Sequence, residues 1–201
     1  MNSTERNDLI ISWLTLSFAF SLVISDSMLD LISLAEAIPI ALVGVGTGFI
    51  FHEMAHRQMA RKFGYHAEFR AWNQGLIFAV VFAIISGGRF TFAAPGATYI
   101  FAHNIPVEKD GKISIAGPVT NVIIGFVLFA MAALMTNDFA FKVLLNAGII
   151  NFWLALFNLL PIGPLDGTKV MRWNMGAWLA VMIVCAAMIF FPGLFFTLVG
   201  L

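Results

Sequence analysis

The run from Ala37 to His56 constrains this chain more than any other stretch. It is apolar enough to lie in lipid, yet it closes on His52-Glu53-Met54-Ala55-His56. On a helix, residues four apart share a face, so the two imidazoles can close on one cation. Zinc suits imidazole nitrogens, and its catalytic sites combine three protein ligands with a water. Glu53, one position beyond the first imidazole, is close enough to take a proton from that water. The bland reading is two surface histidines beside an acid. It fits poorly with so apolar a setting, where ionisable groups are costly and generally functional. Gly44 and Gly48 lie on the stripe leading to the histidines, a spacing that lets a neighbouring helix approach closely. From Ala37 to His52 the rise is roughly 22 Å. The pair is therefore expected inside the membrane, nearer the end where Arg57, Arg61, Lys62 and Arg70 follow.

Elsewhere the chain keeps the same character. Hydrophobic residues make up 60% of its 201 positions and charged residues 11%, about half the charge of a soluble domain. The expected class is an all-α polytopic membrane protein. One membrane-embedded domain covers 1–201, with a catalytic core over about 37–170. Five transmembrane helices are expected: Leu9–Ile24 (extendable to Leu34), Ala37–His56, Ile115–Leu134, Phe139–Leu160 and Trp173–Leu198. A re-entrant or β-like hairpin falls between the second and third. Gly75–Ser86 is too short to span comfortably, Gly87-Gly88 breaks it, and a β-like stretch runs from Arg89 through Pro95-Gly96 to Phe101. Glu108-Lys109-Asp110-Gly111-Lys112 carries a turn signal. Pro161–Thr168 reads as a loop containing Asp166.

Zero net charge removes the electrostatic case for nucleic acid. The single cysteine, Cys185, excludes an intrachain disulfide and a cysteine zinc site, and reads as packing. No small-residue cleavage site follows the first apolar run, which reads as a retained anchor.

A third ligand must come from elsewhere, with Asp166, His66, His103 and the remaining acids as candidates. Asp166 is favoured. It follows an apolar helix, is braced by Pro161 and Pro164, and precedes Gly167. His66 and His103 sit in polar or interfacial segments, where a wet histidine is the ordinary outcome. For Asp166 to reach the histidines, segment 75–101 must enter and leave from one face. Ten of the eleven Lys/Arg then share that face: Arg6, Arg57, Arg61, Lys62, Arg70, Arg89, Lys109, Lys112, Lys169 and Arg172, with Lys142 opposite. The positive-inside rule makes that face cytoplasmic. The N-terminus is then cytoplasmic, the zinc site lies nearer the cytoplasmic side, and the cell membrane is the expected location.

With these residues placed, the chain resembles the site-2 protease family of intramembrane zinc metalloproteases. Three motifs carry the resemblance over roughly residues 40–170. They are His52-Glu53-Met54-Ala55-His56, then Ala116-Gly117-Pro118-Val119-Thr120-Asn121, then Asn158-Leu159-Leu160-Pro161 leading to Leu165-Asp166-Gly167. The resemblance implies one zinc per chain, held by His52, His56 and Asp166, with Glu53 as general base. It also implies that Asn158 orients substrate or stabilises the oxyanion, and that Gly117 and Pro118 shape the helix near the metal. Against that role for Asn158 stands a plain interhelical hydrogen bond, expected also of Asn121, Asn146 and Asn151. The chain departs from better-known members in having no room for a PDZ or CBS domain. Its hydrophobic hairpin over 75–101 also stands where others carry a shorter sheet.

The expected activity is regulated intramembrane proteolysis, the hydrolysis of a peptide bond in or near a transmembrane segment of another membrane protein. An unwound substrate is expected to add as a strand to Phe90–Ala94 or Ala97–Phe101. A membrane metal-ion transporter and an inactive membrane scaffold are the alternatives. No internal repeat favours the first, and the intact ligand and base set argues against the second.

Overall fold

Asn2 starts the first helix, its side chain accepting from the Glu5 N–H, and α1 (Ser3–Ile24) runs on for 22 residues. The computed structural model describes residues 1–25, 27–91, 95–102, 104–198 and 200. α1 stops at Ile24 and does not continue to Leu34, because Asp30 opens a second helix. Its carboxylate accepts from the N–H groups of Ile32 and Ser33 at 2.9 and 3.3 Å, a side-chain cap that fixes the start. From there the backbone is helical from Leu31 to Lys62. It comprises α2 (Leu31–Val45), a π-helical turn (Gly46–Ile50) and α3 (Phe51–Lys62). This is the helix expected over Ala37–His56, longer at both ends.

The π turn sits directly before the histidine pair, where such turns often mark functional sites. Side chains reach the carbonyls just ahead of it. Trp13 Nε1 donates to Leu42 O at 3.0 Å, Thr47 Oγ1 to Val43 O at 2.7 Å, and Asn151 Nδ2 to Gly44 O at 3.4 Å. These side-chain donors add to the backbone bonds there, where the Gly46 N–H already donates to Leu42 O and Val43 O, so the polar groups ahead of the turn are satisfied inside an apolar bundle.

Two short strands follow, and the first was not expected. β1 (His66–Ala71) pairs antiparallel with β2 (Gly96–Phe101), Ala71 opposite Gly96. Between them the chain makes an excursion that leaves and returns at one level, since the Trp72 N–H donates to Pro95 O at 2.8 Å. α4 (Asn73–Ile85) climbs about 20 Å beside α1, burying Leu76, Ala79 and Ala83 against it. Gly87 and Gly88 turn the chain with φ of +68° and +76°. The tip lies close to the far end of α1, where a Cβ on Gly88 would stand 2.6 Å from Leu22 O. Arg89 therefore sits at the far end, near the connection from α1 to α2 and on the side of Lys142, and not with the nine other basic residues as expected. Of the β-like stretch expected from Arg89 onward, Phe90 and Thr91 are irregular and 92–94 lie outside the described residues.

α5 (Val107–Ala133) begins eight residues before the expected Ile115, so the Asp-Gly turn signal is overridden. Acidic Glu108 and Asp110 occupy its first turn, and Glu108 pairs with Lys112 one turn on. Both features favour helix at an N-terminus. α6 (Asp138–Asn158) is capped by Asn137 and returns antiparallel to α5. Its Ala147–Leu154 face lies on Gly44 and Gly48, as the small-residue stripe requires: Cβ atoms there would stand 2.6 Å from Ile150 Cδ1 and Leu154 Cδ1.

α7 (Asp166–Trp173), α8 (Met175–Phe190) and α9 (Gly193–Leu198) complete the chain. Asp166 is thus the first residue of a helix and not part of a loop. The single last helix expected over Trp173–Leu198 is divided at Phe191-Pro192, where proline cannot continue the hydrogen-bond ladder. Among the described residues, four helical stretches are long and apolar enough to cross a membrane: α1, α2–α3, α5 and α6. A fifth was expected, but α8 has 16 residues.

Candidate metal centre

α3 presents His52 and His56 on one face, one turn apart, with ring centroids 4.5 Å from each other. The loop after α6 folds back through Pro161 and Pro164 and sets Asp166 at the head of α7. Asp166 Oδ2 lies 3.2 Å from His52 Nε2 and 3.1 Å from His56 Nε2. The ligand atoms of the three all fall within 4.8 Å of one another. Tetrahedral zinc with N and O ligands at about 2.1 Å separates its donors by about 3.4 Å, so the cluster has the right size.

The surroundings fit a metal as well. His56 Nδ1 lies 2.8 Å from the Ile113 carbonyl. A carbonyl only accepts, so Nδ1 carries the proton and Nε2 turns its lone pair to the cluster. The outer nitrogen of His52 is buried without a partner among the described residues. Gly117 of α5 faces both rings. A Cβ there would stand 2.5 Å from His56 Nε2 and 2.6 Å from His52 Nε2. Only hydrogen at this position leaves the space where the lone pairs converge.

Glu53 is 8% exposed. Thr98 Oγ1 of β2 lies 2.8 Å from its Oε2 and 3.2 Å from its backbone oxygen. Asn158 borders the same cleft, about 320 Å³ in volume, and its Nδ2 donates to Leu154 O at 2.8 Å. The cleft is lined by β2 from Gly96 to Ile100 and by Ser114, Leu165 and Lys169.

Among the other histidines, His66 stands exposed on β1 against Glu68 Oε1 at 3.1 Å and takes no part in the cluster. His103 lies outside the described residues. Asn151 bonds to Thr47 and Gly44 across helices, as expected. Asn146 and Asn158 bond within their own helix, and Asn121 is buried without a partner among the described residues.

Three groups around the centre escaped the sequence reading: Thr98, the Ile113 carbonyl and Glu5. In sequence, Glu5 stands beside Arg6 and close to Asp8 just ahead of the first apolar run. It is fully buried, with Oε1 2.8 Å from Arg57 Nε and 3.2 Å from the Phe69 N–H. Asp8 accepts from the Ala71 N–H at 3.3 Å. These two carboxylates occupy the outer edge of β1, so that edge of the sheet is closed. The alternation of an antiparallel pair then turns the peptide groups of Gly96, Thr98 and Ile100 away from β1 and toward the cleft.

The chain is similar to several known proteins. Residues 40–143 match the peptidase family M50. The chain is 42% identical over 181 residues to the Methanocaldococcus jannaschii protein named "Putative zinc metalloprotease MJ0611", covering 88% of each chain. It is 29% identical over 155 residues to the Bacillus subtilis protein named "Putative zinc metalloprotease YwhC", covering 67% of this chain and 68% of that one. It is 27% identical over 124 residues to "Zinc metalloprotease MJ0392" of M. jannaschii, covering 61% of this chain and 30% of that one. No solved structure matches the chain at a comparable significance.

Proposed function

Because the chain belongs to peptidase family M50, we propose that it is a membrane-embedded zinc endopeptidase. It cuts a peptide bond in or near a transmembrane segment of another membrane protein. The observation that carries this reading is the meeting of His52, His56 and Asp166, with Glu53 held beside them. These three side chains would hold one zinc. When bound there, the ion supplies a Lewis acid that lowers the pKa of a coordinated water from about 15.7 toward 7.

The chain's own groups perform the remaining steps. Glu53 keeps Oε2 on the Thr98 hydroxyl and has Oε1 free to accept a proton from the attacking water. Hydroxide adds to the scissile carbonyl carbon, and the carbon–nitrogen bond then breaks as Glu53 returns the proton to the leaving amine. Asn158 spends one N–H of Nδ2 on Leu154 O; the other remains for the oxygen that gains charge. The free edge of β2 offers the peptide groups of Gly96 and Thr98 and the N–H of Ile100 to an unwound substrate strand beside the centre, the Ile100 carbonyl being taken by the Ala102 N–H. A scaffold or a cation path needs no carboxylate held at the cluster, and Glu53 is held there.

By the positive-inside rule the cleft and the N-terminus face the cytoplasm, and the cell membrane is the proposed location. Moving Arg89 to the far end leaves nine of the eleven basic residues on the cleft side, enough to keep that orientation. The excursion through α4 is then a re-entrant hairpin that dips from the cytoplasmic face. The reading is tested in proteoliposomes with a transmembrane substrate. Wild type cleaves it, and Glu53→Gln keeps zinc but does not cleave. Equal cleavage by both proteins would end the proposal.

A further inference from the structure

We infer that Thr98 is the positioning residue for Glu53, fixing its carboxylate relative to the ligand cluster from the strand that walls the cleft. This rests on the endopeptidase reading above. Thr98 Oγ1 approaches Glu53 Oε2 at 2.8 Å and Glu53 O at 3.2 Å. A hydroxyl has one proton to donate, and the nearer, charged oxygen is the stronger acceptor. A carboxylate that is 8% exposed needs such a donor, because a buried polar oxygen left without a partner is costly in so apolar a place. The hydrogen bond takes Oε2 and leaves Oε1 as the atom turned to the water. Without it, the side chain's torsions are set only by packing.

Thr98 is itself held from behind. It stands opposite Phe69 in the sheet. The Phe69 N–H donates to Glu5, and Glu5 pairs with Arg57, the residue after His56. The contacts close a ring from α3 through β2, β1 and α1 back to α3. The strand therefore cannot shift against the ligand helix without moving the base. A substrate strand laid along the free edge of β2 would rest on the backbone of the same residue that aims Glu53. Substrate seating and base alignment thus share one residue.

The test compares wild type, Thr98→Val, Thr98→Ala, Thr98→Ser and Glu53→Gln as full chains in proteoliposomes with a transmembrane peptide substrate. Valine keeps the shape and removes the hydroxyl; serine keeps the hydroxyl and removes the methyl. Bound zinc is measured by metal analysis and by chelator competition. The expected result for valine and alanine is a kcat about 10- to 100-fold lower, with KM within about twofold and zinc unchanged. Serine should restore most of kcat. Wild-type kcat in Thr98→Val, a serine variant as slow as valine, or zinc lost along with activity would overturn the inference. Cleavage that Glu53→Gln abolishes and Thr98→Val leaves intact removes only the role of Thr98. A wild type that does not cleave, or a Glu53→Gln protein that does, removes the endopeptidase reading with it.

Discussion

Glu5 and Arg57 form an ion pair, Oε1 to Nε 2.8 Å, between the first turn of α1 and the middle of α3, with Glu5 wholly enclosed. The pair joins the N-terminal helix to the residue beside His56, and through the Phe69 N–H it also joins the sheet. Removing one partner of a buried pair leaves an uncompensated charge and costs about 3–5 kcal/mol. Glu5→Ala should therefore lower the thermal midpoint markedly in detergent. The double change Glu5→Ala with Arg57→Met should recover part of the loss, because no charge is then stranded. A single variant as stable as wild type would show that the pair adds nothing.

Gly117 makes the second close approach. A methyl group there would stand about 2.5 Å from both Nε2 atoms, well inside contact distance. Either α5 or the histidines must move, and metal ligands tolerate little displacement. Gly117→Ala should weaken zinc binding at least tenfold, comparable to losing a supporting partner of a ligand. Chelator competition measures it, and unchanged affinity would mean that α5 yields without disturbing the rings.

The packing of α2 on α6 gives a milder prediction. Gly44→Ala puts a methyl 2.6 Å from Ile150 Cδ1. Overpacking of this kind costs about 1–3 kcal/mol, so the thermal midpoint should fall while bound zinc stays near its original level. Shortening the neighbour with Ile150→Val in the same chain should return part of the stability.

Strand addition at β2 has its own signature. Peptides with the sequence of a cleaved segment should inhibit, and N-methylation should hurt at alternate positions, where the peptide's N–H would face the carbonyl of Gly96 or Thr98. One lost hydrogen bond is worth about 0.5–1.5 kcal/mol, so inhibition should weaken about 2- to 12-fold at those positions and little between them. A flat response along the peptide would take the strand out of the recognition step.

What the sequence disclosed depended on how local each feature was. His52, Glu53 and His56 share one helix, so spacing alone placed them together. The Gly44–Gly48 stripe foretold a close neighbour by the same logic. Asp166 is 114 positions from His52, and it took its local setting between prolines and Gly167, a topology argument and a family resemblance to bring it near. The helix over 107–114 was misread because Asp110-Gly111 resembles a turn. In the fold, first-turn acids and a one-turn ion pair outweigh the glycine. β1 went unseen because a six-residue strand is stabilised by its distant partner and by carboxylates of α1. The Ile113 carbonyl is a backbone group, and no residue pattern announces it. Thr98 is one ordinary threonine among several, and only the sheet register brings it to Glu53.

Metal analysis tests the central claim most directly. Purified wild type, His56→Ala and Asp166→Ala are stripped, reloaded with zinc and washed against a weak chelator. Convergence of the three side chains on one ion predicts about one zinc per chain in the wild type and little in either variant. Equal zinc in Asp166→Ala and wild type would contradict it.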